Sequence, residues 1–121
     1  MDKSETVSTL RQFQPKEKHG PEFHIQKEIV EFLRAREWLV KKTHGSMYQS
    51  GFPDLFATHS KYGPRWIEVK NALSYSFTPA QLEWFPQIVA HGSGIWILVA
   101  ASESEYEKLF KPCNWWQYLK F

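Results

Sequence analysis

Thirteen acidic residues occur in this 121-residue chain, and only two of them are aspartates, Asp2 and Asp54. Asp54 stands in an apolar setting, Phe52-Pro53-Asp54-Leu55-Phe56, and Ile67-Glu68-Val69-Lys70 follows shortly after it. Both stretches read as strands, the first opened by a proline where a missing N–H is tolerated. Strand side chains alternate, so Asp54, Phe56 and Thr58 share one face of the first, and Trp66, Glu68 and Lys70 one face of the second. A turn of about five residues centred near Tyr62 makes the pair a hairpin. That register sets position 54 opposite about 70 and 56 opposite about 68. Asp54 is then diagonal to Glu68 and near Lys70, with Cβ atoms roughly 5 to 8 Å apart. Two hard oxygen ligands side by side suit a divalent cation such as Mg²⁺. A neighbouring ammonium can orient water or stabilise developing charge.

Each piece also has an ordinary reading. A Glu-x-Lys on one strand face is commonly a solvated ion pair, and an aspartate after a proline commonly starts a strand. Their conjunction on paired strands, among apolar residues, is what points to chemistry. A third carboxylate comes from a helix expected to begin at Pro21. Its core stripe is Ile25, Ile29, Phe32 and Leu33, at the i, i+4, i+7, i+8 spacing. On the helical wheel Glu22 falls in the middle of that stripe with Gln26. A charge there calls for a partner, a metal or an open cavity. A first-turn glutamate favoured by the helix N-terminus is the competing reading.

The elements that must position these groups follow in a simple order. Residues 1 to 20 read as a mobile polar arm. After the first helix come a short strand at Trp38–Thr43, a polar loop from His44 to Gly51, and the hairpin strands. Thr78-Pro79-Ala80-Gln81 has the residues of a capping box, Thr at the N-cap and Gln at the third helical position, and opens a helix to about His91. Ile95–Ala100 is a buried strand. Ser102-Glu103-Ser104-Glu105 predicts a second capping box and a short helix to about Phe110. The order is α-β-β-β-α-β-α, a mixed α/β sheet flanked by helices, in one domain spanning residues 21–111. An aromatic tail, 112–121, packs on that domain or lies at an interface.

Composition narrows the function classes. Aromatic residues at 17% and hydrophobic ones at 42% exclude overall disorder. The single cysteine, Cys113, excludes an internal disulfide framework and a cysteine-rich zinc site, and no base stands near it in sequence. His24, His59 and His91 have no zinc-site spacing. The longest apolar run, Ile95 to Ala101, is far short of a membrane span. No secretory segment is evident at the start, so a reducing, cytoplasmic location is expected. A net charge of +2 permits nucleic acid as a partner without arguing for it.

Gly51-Phe52-Pro53-Asp54-Leu55, then Ile67-Glu68-Val69-Lys70, then Phe77-Thr78-Pro79-Ala80-Gln81 resemble the VRR-NUC family of the PD-(D/E)xK nuclease superfamily. The likeness runs from about Glu22 to Ala100, in the style of the short stand-alone members from phages and bacteria. Tyr75-Ser76-Phe77 departs from the more polar, glycine-bearing turn usual before the last of these motifs. The resemblance implies a restriction-endonuclease-like fold and Mg²⁺-dependent hydrolysis of DNA phosphodiesters, with Mn²⁺ able to substitute. It implies that Asp54, Glu68 and the Val69 carbonyl hold the metal, that Glu22 completes the site and that Gln81 sits at its mouth. Lys70 would hold the attacking water or stabilise the transition state. No small-molecule cofactor beyond the metal is implied. A basic residue is usual at the end of the first strand, where Lys41, Lys42 and His44 all qualify.

If the hairpin is right, Lys41, Lys42, His44, Lys61 and Arg65 fall near the rim and could take DNA phosphates, or they are ordinary surface charge. Trp84, Phe85 and Trp96 have the spacing of core residues. The expected activity is a structure-selective endonuclease acting on branched DNA such as four-way junctions. The alternatives are a less selective duplex nuclease or nickase, and a DNA-binding module with its acidic site unused. A homodimer is expected, because paired incisions call for two sites and the tail's aromatics exceed what a small core absorbs. No membrane partner is expected.

Overall fold

The computed structural model describes residues 20–43 and 51–119. The N-terminal arm before Gly20 and the loop residues His44–Ser50 lie outside the described residues. Helix α1 (Pro21–Arg34) leads into β1 (Leu39–Lys42), β2 (Leu55–His59) and β3 (Gly63–Val69). Then come α2 (Pro79–Ala90), β4 (Ile95–Leu98) and the single-turn α3 (Glu103–Glu107). Two 3₁₀ turns, Lys108–Phe110 and Trp115–Tyr118, complete it. The element order and the α/β class are those expected.

The four strands stand in the order β1-β2-β3-β4. The first three form an antiparallel meander, and β4 joins β3 in parallel through α2. Helix α1 covers one face with Ile29, Val30 and Leu33, which pack on Val40, Leu55, Ala57, Ile67 and Val69. On the opposite face Phe85 of α2 meets Ile95, Ile97 and Trp115. The sheet is therefore buried on both sides at β3 and β4, as parallel pairing requires.

Three expectations are corrected. Leu55 pairs with Ile67 and His59 with Gly63, so the hairpin is centred on Lys61 rather than Tyr62. The loop is Ser60–Tyr62, and Gly63, which pairs with His59 just after it, takes a left-handed φ of +82° that favours glycine. The register moves by two residues, which keeps every side chain on its expected face. Trp84 is exposed, not core, whereas Phe85 is fully buried and Trp96 half-buried. At α3, Ser102 accepts from the Glu105 N–H as expected, but the Glu105 carboxylate accepts from the Val99 N–H instead of closing a capping box.

The described part of the tail, up to Leu119, docks on the domain. Asn114 uses its side-chain amide as a substitute strand, accepting from the Ile97 N–H at 2.7 Å and donating to the Ile97 carbonyl at 3.3 Å. Trp115 is buried behind it, and Trp116 remains outside.

Candidate active site

Asp54 lies just before β2, held by its own backbone. Its carbonyl accepts from the Thr43 N–H at 2.9 Å, and the Thr43 hydroxyl donates to the Pro53 carbonyl. Gly51 lets this loop reach α2. It has φ +89°, and a Cβ there would stand 2.7 Å from the Trp84 ring and 2.9 Å from the Ala80 carbonyl oxygen. Only glycine meets both demands.

Continuing the β2–β3 register by one residue sets Asp54 directly opposite Glu68, not diagonal to it. Two hydrogen bonds tie Asp54 to β3. The Asp54 N–H donates to Glu68 Oε1 at 3.1 Å, and the Val69 N–H donates to Asp54 Oδ2 at 2.8 Å. Glu68 is 2% exposed and Lys70 4%. Lys70 Nζ donates to the Ser76 carbonyl at 2.7 Å and to Gln81 Oε1 at 3.2 Å, and lies 3.2 Å from Glu68 Oε2. The face of the Phe77 ring covers it at 4.7 Å. These three oxygens match the three donors of an ammonium.

Gln81 links the helix to the strand. Its Oε1 accepts from the Thr78 N–H at 3.0 Å while its own N–H donates to Thr78 Oγ1 at 3.1 Å, the full capping box. With the carbonyl oxygen so engaged, Nε2 faces the sheet and donates to Glu68 Oε2 at 2.7 Å. The cap thus fixes which end of the amide meets the carboxylate.

Burial, and secondly the charge of Asp54, push the Glu68 carboxyl up to about 8, against the pull of Lys70 and Gln81. Two carboxylates this close repel each other, and a divalent cation between them would relieve that repulsion. Asp54 and Glu68 are hard oxygen donors of the kind that could hold Mg²⁺ or Mn²⁺.

The other expected residues fare differently. Glu22 is exposed in the first turn of α1, not on its buried stripe. Among the described residues no group of three acidic, histidine or cysteine side chains gathers, so Glu22 is not drawn in as a third carboxylate. The helix packs only from Ile25 onward, which leaves its first turn proud of the sheet. Lys41 and Lys42 are both exposed beside β2, paired with Phe56 and Leu55. Alternation gives Lys41 the face of Asp54 and Glu68 and gives Lys42 the α1 face.

Lys61 and Arg65 do not reach the rim. Lys61 sits in the hairpin turn, seven residues before Glu68, or about 20 Å along the strand. The Arg65 guanidinium is consumed by the carbonyls of Leu109, Tyr62 and Pro64 at 2.7 to 2.9 Å and packs on Trp96. His44 lies outside the described residues. The Ser76 carbonyl and the Phe77 ring are site components that sequence reasoning missed. Their signal was the unusual aromatic stretch Tyr75-Ser76-Phe77.

A solved structure of a VRR_NUC domain superimposes on this chain with a TM-score of 0.61, over 74% of this chain and 95% of that one. The chain has the fold of a VRR_NUC domain. Identity with that domain is 22%, and neither a family model nor a curated protein matches the sequence. The likeness therefore lies in the VRR_NUC architecture, a mixed four-stranded sheet between helices. No helix among the described residues is long and apolar enough to cross a membrane.

Proposed function

We propose that this protein is a metal-dependent deoxyribonuclease that hydrolyses DNA phosphodiesters at the Asp54–Glu68–Lys70 end of the sheet. The observation that carries the reading is the half-buried Asp54 paired with the buried Glu68, with Lys70 and Gln81 attached, on a fold shared with a VRR_NUC domain. Asp54, Glu68 and the Val69 carbonyl would hold Mg²⁺ or Mn²⁺. When bound, the ion supplies Lewis acidity toward a phosphoryl oxygen and acidifies water.

The chain's own groups do the rest. The two hydrogen bonds at Asp54 and Val69 keep both carboxylates in register without reorganisation. Gln81 holds Glu68 Oε2 toward the helix. Lys70 keeps a positive charge beside the carboxylates, able to stabilise the negative charge that builds on the phosphoryl group. To touch substrate it must first leave one of its three oxygens, and Glu68 Oε2, at 3.2 Å, is the one a metal would compete for.

Selectivity for branched DNA and a two-fold dimer are finer parts of the same proposal. Among the described residues of the tail Trp115 is buried and Tyr118 half-buried, and Trp116 is the aromatic left exposed for a dimer interface.

The test uses purified protein with Mg²⁺, Mn²⁺ or EDTA on labelled duplex, single-stranded, flap and four-way-junction DNA. Cleavage that needs the metal supports the proposal, and preference for the junction supports its finer part. Tight DNA binding with no cleavage under any condition overturns it in favour of a binding module.

A further inference from the structure

Helix α2 covers β3 and β4 but leaves the β1–β2 half of that face open among the described residues. Aromatic side chains fill the opening. Phe56 and Trp66 pair across β2 and β3 with ring centres 5.0 Å apart. Phe52 leans on Trp66 at 6.1 Å and meets Trp84 of α2 edge-on at 6.2 Å. Phe52 is 40% exposed and Trp84 42%. The four rings make one continuous surface. Phe56–Trp66 is the rung next to Asp54–Glu68 on the same face, about 7 Å away along the strands.

The surface has a charged edge. Lys41 is the cross-strand neighbour of Phe56, exposed and on the same face. A cation, a row of rings and a carboxylate pair thus follow one another across the open half of the sheet. A nucleotide has the matching order of parts, since its phosphate suits the lysine and its base has a π-face to stack. A paired base in a duplex keeps its faces against its neighbours and presents only edges, whereas an unpaired base can lie on a ring.

We infer that Phe52, Trp84, Trp66 and Phe56, with Lys41 at their edge, form a stacking platform for unpaired nucleotides next to the scissile phosphate. The inference rests on the deoxyribonuclease reading and narrows its substrate to DNA with a single-stranded segment. The rings discriminate, because a blunt duplex cannot engage them.

Binding is measured in EDTA, so that no cleavage is needed, with an oligonucleotide that carries 2-aminopurine, either single-stranded or annealed as a blunt duplex. Wild-type protein should bind the single strand and quench its 2-aminopurine on stacking. Phe52→Ala and Trp84→Leu should each weaken single-strand binding by about 5- to 100-fold, lower its ratio to duplex binding and relieve the quench. Trp84→Phe should restore most of it. Phe110→Leu, at an exposed ring by the hairpin turn and outside the platform, should change nothing.

Unaltered quenching in Trp84→Leu, or equal losses on both DNAs, overturns the platform. So does a fall in the mass of the DNA-free protein from dimer to monomer in Phe52→Ala, which would make this face a contact between copies. Platform effects without Mg²⁺-dependent cleavage would sink the nuclease reading and leave the platform standing. Cleavage of duplex and tailed DNA alike, indifferent to these variants, would do the reverse.

Discussion

At its turn the β2–β3 hairpin is closed by stacked rings; at its open end it is closed by two carboxylates and an ammonium. Trp38 lies against Tyr62 with nearly parallel rings at 6.1 Å, and Tyr62 meets Phe110 at 4.8 Å and His59 at 4.7 Å. The polar atoms there are satisfied cheaply: the Trp38 indole donates to the Tyr106 hydroxyl at 3.0 Å, and Arg65 donates to backbone carbonyls. Ring packing of this kind adds to stability. At the other end the same two strands set two carboxyl groups side by side, and burial holds that of Glu68 far above its ordinary range. One end strengthens the fold, and the other gives up part of that strength to hold a carboxyl where burial disfavours its charged form.

Asp54→Asn and Glu68→Gln should break the comparison at its functional end. Each keeps the shape and removes a carboxylate proposed to hold the metal, so metal-dependent cleavage should fall by about 10⁴-fold or more, the several kcal/mol that a lost metal centre is worth. Circular dichroism should be unchanged. Near-wild-type turnover of either variant in Mg²⁺ would mean that the carboxylate pair is not the metal site.

Trp38→Ala should break it at the other end. Loss of a buried indole costs about 3 to 5 kcal/mol, read as a lower urea midpoint. Cleavage per folded molecule should hold. A loss of activity larger than the loss of folded protein would show that the two ends are coupled.

The pH dependence of stability separates the ends without breaking either. The folded-state value of Glu68 is raised from 4.5 to about 8, so the native state retains a proton that the unfolded chain gives up. Its contribution is full below about pH 4.5 and is lost as pH climbs to about 8. In EDTA the melting temperature should therefore drop across this range, by on the order of 5 to 10 °C. Glu68→Gln should flatten the decline, and Mg²⁺ should oppose it most at high pH. A flat wild-type profile in EDTA would contradict the raised value.

The smallest effect concerns DNA binding. Lys41→Ala should reduce the slope of log K against log salt by about 1, and Lys61→Ala should leave it unaltered. Equal changes would mean that DNA runs the full length of the hairpin.

Much of the site was legible in the sequence because it depends on local rules. Alternation alone gave Asp54 and Glu68 a common face, and a two-residue error in the register could not undo that. The register was missed because the turn was sized from composition, which counted Gly63 and Pro64 into the loop, whereas both pair with β2 and leave only Ser60–Tyr62. The Thr78–Gln81 motif was legible as a helix cap, and the cap is what delivers Gln81 to Glu68. The burial of Lys70 was not, because a lysine ending a strand reads as solvated until Ser76 and Phe77 are seen to fold over it. The fate of Glu22 was also hidden, since a helical wheel says which side a residue faces but not whether the sheet extends that far. Arg65 and Lys61 were misplaced for the same reason: charge is visible in sequence, whereas distance along the sheet depends on how the hairpin closes.

The dual duty of Gln81 has a consequence for how the chain tolerates change. A glutamate closes a capping box as well as a glutamine does, so to the helix alone Gln81→Glu is nearly silent. To the strand it is not, because the new carboxylate would face Glu68 Oε2 where an amide now donates at 2.7 Å. One atom's difference, nitrogen for oxygen, would turn a cluster of two carboxyl groups and one ammonium into three carboxyl groups against one ammonium. At this position the genetic alphabet has two letters that spell the same fold and different electrostatics. Sequences drifting under selection for folding alone would pass freely between them, and those that keep glutamine keep a record of what the strand requires.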